Sequence, residues 1–283
     1  MSGEKILIGV DGGGTSCRAA MVTRGARFEA VGGAANVSTD FDGAIATIRA
    51  AARRLAAEAG LAERDLSRAT AHLGLAGAMN AEIAGRVGAA MPFARTAVTD
   101  DRPTSIAGAL GDADGTVAAI GTGSFVGRQR AGRLEGVGGW GFFIGDQAAG
   151  AWLLRRCLEE TMLAVDGLRP ATGLTARMLA EHGGDPGRIV LFAGSSAPAD
   201  YARLARDVVA AAEAGDALGA ALLDEGAAYI RAALSRLGWA APEPLVLTGG
   251  LGPFYARWMG LATAEAKGTA LDGALVLAGR AAR

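Results

Sequence analysis

The segment Arg24-Gly25-Ala26-Arg27-Phe28-Glu29-Ala30-Val31-Gly32-Gly33 returns 106 positions later as Arg130-Ala131-Gly132-Arg133-Leu134-Glu135-Gly136-Val137-Gly138-Gly139, with six of the ten residues identical. What surrounds the two copies also matches. An apolar strand over Ile6–Val10 runs into Asp11-Gly12-Gly13-Gly14-Thr15, and another over Thr116–Ile120 runs into Gly121-Thr122-Gly123-Ser124. Each loop leads to a second strand (Ser16–Thr23 and Phe125–Arg130), a tight turn, and a third strand that ends in Val-Gly-Gly. Strand, glycine turn, strand, turn, strand is an antiparallel meander, and the chain writes it twice. Short glycine-rich identities arise by chance, but the same order of elements in both places favours duplication.

Helical periodicity follows each meander. Phe41–Ala59 repeats apolar residues every three or four positions and stops before Gly60. A strand over Thr70–Leu75, a helix near Ala81–Ala90, a strand over Thr96–Thr99 and a helix starting near Asp101-Arg102-Pro103 complete the first half. The second half predicts helices over Gln147–Val165, Leu174–His182, Pro198–Ala214 and Ala217–Leu237. A strand over Pro244–Leu247 then enters Thr248-Gly249-Gly250, and a last helix spans Leu271–Ala281. The fold class is α/β, read as βββαβαβα twice. The polar run Gly111-Asp112-Ala113-Asp114-Gly115 places the boundary, giving domains 1–110 and 111–283. The last helix either closes the second domain or returns to the first.

Composition narrows the chemistry. The 283 residues carry a net charge of −1, which leaves no electrostatic footprint for nucleic acid or an anionic membrane. No apolar run reaches the roughly 20 residues of a membrane span, and no signal-peptide pattern opens the chain. Two cysteines, Cys17 and Cys157, cannot make a disulfide scaffold, which fits a reducing cytoplasm. The two histidines, His72 and His182, have no metal-ligand spacing. Neither lysine, Lys5 nor Lys267, follows a glycine, so a Walker A loop is excluded. Chemistry here must run on carboxylates, hydroxyls and backbone amides.

Glycine supplies those amides. The chain has 44, roughly double the average share of about 7%. A hairpin needs one or two glycines, whereas three follow Asp11 before Thr15 closes the loop. Glycines let backbone N–H groups approach an anion, and the hydroxyls of Thr15, Thr122 and Ser124 can donate to the same oxygens. Two such loops at equivalent points of a duplicated unit would face each other across a cleft and suit an elongated polyphosphate. An ordinary tight hairpin is the plain alternative for either loop alone. Gly136–Gly141 matches GxGxxG, but a meander rather than a βαβ strand precedes it, so dinucleotide binding is set aside.

These residues resemble a known superfamily. Asp11–Thr15, Gly121–Ser124 and Thr248–Gly250 are similar to the two phosphate loops and the adenosine loop of the sugar-kinase, actin and heat-shock-chaperone ATPases. Gly138-Gly139-Trp140-Gly141 followed by Gly145-Asp146-Gln147 resembles the N-acetylglucosamine kinase branch, which includes bacterial glucosamine kinases and the ATPases that activate dehydratases and benzoyl-CoA reductase. The resemblance runs nearly the whole chain. It implies two ribonuclease H-like domains with a nucleotide cleft between them, in a cytoplasmic enzyme using ATP and Mg²⁺. The implied reaction phosphorylates N-acetylglucosamine or glucosamine at the 6-hydroxyl. The implied partner is a small amino sugar rather than nucleic acid or a membrane, with a homodimer as the candidate assembly. Asp101, four residues before Ser105-Ile106-Ala107, takes the catalytic place; Asn36, Gly139, Trp140 and Asp146 take the sugar. Gly12, Gly13, Gly14, Thr15, Gly121, Thr122, Gly123, Ser124, Gly249 and Gly250 take the nucleotide, and Asp11 takes Mg²⁺ through water.

The chain departs from that pattern in two places. An aspartate pair, Asp100-Asp101, stands where the family has one, and Ala76-Gly77-Ala78 stands where a serine or threonine often reaches the sugar. Plainer roles also exist. Asp101 and Asp146 each precede a helix and could cap it, Asp11 could start a turn, and Trp140 could be core. His72, Cys17 and Cys157 read as packing residues, and the arginine-rich helix faces read as solvated. Three rival activities follow: an ATPase that activates a partner enzyme through a cysteine-held iron–sulfur cluster, a sugar sensor without turnover, and a kinase for a neutral sugar.

Overall fold

The computed structural model describes residues 5–283, which group into two compact units. The first comprises the chain to Asp114 together with Gln129–Leu134 and Ala266–Arg283; the second comprises Gly115–Arg128 and Glu135–Glu265.

In the first unit, β1 (Leu7–Gly12), β2 (Cys17–Thr23) and β3 (Ala26–Gly32) form the expected antiparallel meander. Helix α1 (Phe41–Glu58) follows, then a 3₁₀ turn (Glu63–Arg68), β4 (Thr70–Leu75), α2 (Ala81–Ala89), β5 (Arg95–Thr99) and α3 (Asp101–Leu110). The five strands are ordered β3-β2-β1-β4-β5, with β4 parallel to β1 and β5 parallel to β4. Helix α1 forms because its small and apolar residues, Ala44, Ile45, Ile48, Ala51, Ala52 and Leu55, fall on one face and are buried against the sheet. Asp40 caps its start by accepting from the Gly43 amide at 2.9 Å, an interaction typically worth about 1 kcal/mol. Ile8, Met21, Ile48, Leu55, Leu66, Leu73 and Leu75 make the dry centre.

Register decides where the chemistry can sit. Asp11 lies opposite Gly74, and Gly74 lies opposite Thr99, so the carboxyl ends of the three parallel strands are level. That edge, which carries Asp11, Asp100 and Asp101, is where open α/β sheets bind ligands.

The second sheet, which lies in the second unit apart from the β7–β8 turn, has β6 (Gly115–Ile120), β7 (Ser124–Arg130), β8 (Arg133–Gly138) and β9 (Leu245–Thr248) in the order β8-β7-β6-β9, with β9 parallel to β6. The connections β6–β7 and β7–β8 are too short for a crossover, so this meander is antiparallel as well. Helices α4 (Gly150–Val165), α5 (Gly173–Glu181), α6 (Pro186–Ser195), α7 (Pro198–Glu213), α8 (Ala217–Arg236) and α9 (Gly252–Met259) complete it. The βββαβαβα order is therefore complete in the first half only. In the second, a run of helices stands between β8 and β9, and the described sheet has four strands against five. Two of these helices, α6 and α9, are not among those expected from periodicity, and each has a proline near its start, Pro186 and Pro253. Both prolines occupy the first helical turn, where a missing N–H costs nothing. Among the described residues no helix is long and apolar enough to cross a membrane.

The C-terminal helix α10 (Ala270–Ala281) belongs to the first unit and crosses α3 at very short range. A Cβ placed on Gly273 would overlap the Thr104 carbonyl oxygen and the Gly108 amide, and one on Gly108 would overlap the Thr269 carbonyl. Arg27 on β3 pairs with Asp272 at 2.6 Å and holds the start of α10 in place. Gly273→Ala should therefore lower the melting temperature by several degrees. Overpacking costs about 1–3 kcal/mol, and each kcal/mol moves a chain of this size by about 2–4 °C. Gly85→Ala, inside α2 with open space around it, should instead stabilise by about 0.5–1 kcal/mol. Thermal melts followed by circular dichroism check both, and an unchanged melt for Gly273→Ala would show that α10 is not locked to α3.

Candidate active site

The aspartate pair resolves into two distinct carboxylates. Asp100 is the N-cap of α3: it accepts from the Arg102 amide at 2.9 Å and from the Arg102 guanidinium at 2.9 and 2.8 Å. These bonds outweigh the effect of its partial burial and hold its carboxyl below the usual range. Asp101 is the first residue of the helix, so it is not the cap. Its carboxylate receives a hydrogen bond from its own amide, with no side-chain hydrogen bond to it among the described residues. Although the residue is exposed, the protein around the carboxyl, then the charges of Asp100 and Asp11, raise its pKa. One aspartate is committed to the fold and the next is left available and more basic. Thr104 and Ser105 both donate to the Asp101 carbonyl at 2.9 Å, which fixes its backbone.

Asp11, at the end of β1, is half-buried. Desolvation raises its pKa, and the positive charge of Arg18 opposes that rise. The glycines after it close no left-handed turn: neither Gly13 nor Gly14 has positive φ, and a side chain on Gly14 would meet nothing within 4 Å. Gly121 and Gly250 share both properties. Glycine at these three positions is demanded neither by conformation nor by packing within the chain, so it leaves room for a ligand. Gly249 differs, since its φ of 81° and its contact with Ile120 require glycine on structural grounds.

The Asn36 loop is stitched to this edge. The Ala35 amide donates to the Gly13 carbonyl at 2.9 Å, the Ala76 amide to the Gly12 carbonyl at 2.8 Å, and the Val37 amide to the Ala76 carbonyl at 3.1 Å. The Asn36 side-chain oxygen accepts from the Ser38 amide (3.0 Å) and hydroxyl (2.8 Å), so the oxygen is spent on the loop and the NH₂ is the part of the amide suited to a ligand. Gly77, at φ 88°, packs against that oxygen; a Cβ there would come within 2.6 Å. The Ala-Gly-Ala departure thus supplies the backbone that seats Asn36.

In the second unit Asp146 has φ 59°, lies buried, and accepts from the Gly141 amide at 3.2 Å. A side chain on Gly123 would come within 2.7 Å of its carboxylate, so Asp146 is packed against the Gly121–Ser124 loop. Burial raises its pKa against the lowering effect of the Gly141 and Ser124 amides. It does not cap α4, whose N-cap is Ala149 and whose start at Gly150 is three residues later than periodicity implies. Ser124 is buried and donates its hydroxyl to the Gln147 carbonyl at 2.6 Å, so it shapes the loop rather than offering a proton to a ligand. Thr122 is exposed, as is Thr15 on the first loop. Gly139 and Gly141 flank Trp140 at φ 74° and 87° and carry it on a loop where it is 62% exposed, so it is not core.

A cavity of about 480 Å³ gathers Gly121, Thr122, Gly150, Gly250 and Leu251 with Ala199, Ala202, Arg203 and Arg206 of α7. The second glycine loop and the Thr248–Gly250 loop therefore share one cavity. Helix α7 is a contributor that motif reading does not reach; the signal lay in its 199, 202, 203, 206 spacing, one helical face. No cluster of three or more His, Cys, Asp or Glu among the described residues could hold a metal. A single carboxylate such as Asp11 in the first unit or Asp146 in the second fits Mg²⁺, which keeps several waters and binds through one or two carboxylates plus substrate phosphates.

The two aspartates should part company in stability. Asp100→Ala should cost about 0.5–2 kcal/mol at neutral pH. Because the folded-state pKa of Asp100 is depressed, that cost should shrink as pH falls through it. Asp101→Asn should leave the melting temperature unchanged or higher, since it removes a charge that Asp100 and Asp11 repel. A melt series over pH checks both signs.

Comparison with known proteins agrees with this architecture. The family model described as the BadF/BadG/BcrA/BcrD ATPase family matches residues 8–255. Glucosamine kinase GspK of Vibrio cholerae is 30% identical over 280 residues, covering 96% of this chain and 95% of that protein. The crystal structure of a candidate N-acetylglucosamine kinase from Chromobacterium violaceum superposes with a TM-score of 0.82 at 33% identity, over 97% of this chain and 99% of that one. A second candidate N-acetylglucosamine kinase, from Porphyromonas gingivalis, shares the fold with a TM-score of 0.65 at 17% identity, over 97% and 98% of the two chains. The glycine loops, the carboxylates level at the strand ends and the match along most of the sequence together place the chain in the BadF/BadG/BcrA/BcrD ATPase family.

Proposed function

We propose that the chain is an ATP-dependent amino-sugar kinase that phosphorylates the 6-hydroxyl of N-acetylglucosamine or glucosamine. One observation carries the chemistry: of two adjacent aspartates at the carboxyl end of β5, Asp100 is spent on the helix cap and Arg102 while Asp101 is left ionisable and raised in basicity. A sugar hydroxyl is a poor nucleophile. A carboxylate within hydrogen-bond reach aims it and takes its proton as the oxygen bonds to the γ-phosphorus and the bond to ADP breaks. The choice of an amino sugar follows the Vibrio glucosamine kinase and the Chromobacterium structure, supported by the Asn36 amide, whose oxygen is held by Ser38, and by exposed Trp140, suited to a sugar face. Gly139 belongs to the same sugar-side segment.

In the first unit the Gly12–Thr15 loop would hold phosphate through the Gly14 and Thr15 amides, because the Gly13 amide already donates to the Ser16 carbonyl. In the second unit the Gly121–Gly123 loop would do so through the Thr122 and Gly123 amides, because the Gly121 amide donates to the Gly123 carbonyl, with adenosine beside Gly249 and Gly250. Asp11 would hold Mg²⁺ through water, and Asp146 would hold either the metal or the sugar. When bound, Mg²⁺ supplies neutralisation of charge on the transferring group. The protein's own part is positioning and a fixed array of donors.

The iron–sulfur rival fits the residues poorly. Cys17 and Cys157 are both fully buried, and burial pushes their thiols up to about 11 and about 12. Cluster ligands must be thiolates within reach of the metal.

Asp101→Asn should lower kcat at least about 10²-fold with sugar binding intact, whereas Asp100→Asn, still a competent cap, should turn over. Removing the Asp100 charge also lowers the pKa of Asp101, so the acid limb of the kcat/KM profile should move to lower pH in Asp100→Asn. Coupled ADP release measures both; full activity in Asp101→Asn would refute the general base. In the same assay the amino sugars should exceed glucose in kcat/KM, because a site built for a polar substituent is left unpaired without it. Equal values for all three would refute the substrate class.

A further inference from the structure

Helix α7 carries five charged residues, and its three carboxylates are already engaged. Asp200 accepts from the Ala197 amide at 2.9 Å, Asp207 pairs with Arg177 at 2.6 Å, and Glu213 pairs with Arg257 at 3.6 Å. Its two arginines, Arg203 and Arg206, are exposed and have no carboxylate partner among the described residues; both line the cavity that the Gly121–Thr122 and Gly250–Leu251 loops enter. The opposite face, with Tyr201, Ala205, Val208, Val209 and Ala212, is buried in the unit's core, so the helix cannot roll its arginines away. Ala202, directly before Arg203, packs against Gly150, whose amide donates to the Gly121 carbonyl at 2.8 Å. The arginines are thereby held against the glycine loop at a defined place.

We propose that Arg203 and Arg206 are nucleotide-positioning residues that pair with the phosphate chain of the bound nucleoside di- or triphosphate and set its affinity. The site takes a polyanion: Thr122 comes from one wall, where the Gly121, Gly150 and Leu251 amides are already bonded to carbonyls, and two forked guanidinium groups come from the other. Guanidinium matches phosphate geometry bidentately, which amides alone do not. Ala199 and Ala202 occupy the same helical face and keep it low, so the guanidinium groups reach over the cavity instead of being masked by longer neighbours. The inference rests on the kinase reading only in naming MgATP as the physiological ligand.

The test compares Arg203→Gln, Arg206→Gln and the double variant with Arg231→Gln, an exposed arginine on α8 away from the cavity. Calorimetric titration uses MgADP and adenosine as probes. Each cavity variant should weaken MgADP about 5–20-fold, the range for a charge-assisted contact at an exposed site. Adenosine affinity should stay unchanged, and the dependence of MgADP binding on salt should flatten. In turnover, KM for MgATP should rise by the same factor with kcat and the sugar KM held. Arg203→Lys should recover part of the loss. Adenosine weakened as much as MgADP would overturn the proposal in favour of stacking on the base, and losses no larger than in Arg231→Gln would overturn it outright. Because MgADP binding is read without any sugar, a protein that binds MgADP but phosphorylates no amino sugar would fail the kinase reading while leaving this one tested.

Discussion

The first unit depends on one steric constraint, the backbone-to-backbone crossing of α3 and α10. Gly108 and Gly273 bring the two helices to a separation at which no side chain fits, and Gly74 on β4 does the same beneath Thr104. Helix α3 is thus gripped from two sides, between the sheet and the C-terminal helix. Close packing of this kind resists displacement because interiors have little free volume to absorb a shift. Asp101 is the first residue of the gripped helix, so its place at the strand ends is set by glycines remote from it in sequence. The Arg27–Asp272 pair adds a polar fastening beside the contact.

On that frame, electrostatics divides labour among like residues. Asp11, Asp100 and Asp101 lie near one another at the sheet edge and repel. The repulsion is relieved at Asp100, where Arg102 and the cap hydrogen bonds are strong enough to keep the carboxyl ionised. At Asp101 it is left in place, and with desolvation it raises the affinity for a proton. A general base is more effective when its pKa moves toward the operating pH. The same surroundings make Asp101 a poor contributor to stability, which is the usual trade at a reactive group.

The sequence makes the architecture legible where local signals agree with one another. The duplicated meander, the strand Thr70–Leu75 and the helix starting at Asp101 are all found where turn chemistry and periodicity predict them. The signals fall short elsewhere. Helices α6 and α9, which open on Pro186 and next to Pro253, show no periodicity strong enough to announce them, and Gln147–Ala149 reads as helix but is held outside it by the positive φ of Asp146 and Ala148. Within the site, the glycine loops and the aspartate pair are readable, because those residue types have few other uses in such patterns. Which aspartate is the cap depends on one hydrogen-bonding geometry that spacing does not encode. Ser124 has the composition of a phosphate ligand, yet its hydroxyl donates to the carbonyl of Gln147, distant in sequence. Arg203 and Arg206 resemble any solvated arginines until the fold sets them on the wall of a cavity.

The central claim is that Asp101 directs the γ-phosphoryl group to a sugar hydroxyl and not to water. The most direct measurement follows the phosphorus itself, by ³¹P NMR of the wild-type protein with MgATP and N-acetylglucosamine or glucosamine. The account predicts loss of the γ-phosphate signal matched by a phosphomonoester resonance that couples to the two C6 protons of the sugar, with ADP formed in equal amount. Inorganic phosphate appearing in step with ADP while the sugar stays unmodified would contradict it, and would make the protein an ATPase rather than a kinase.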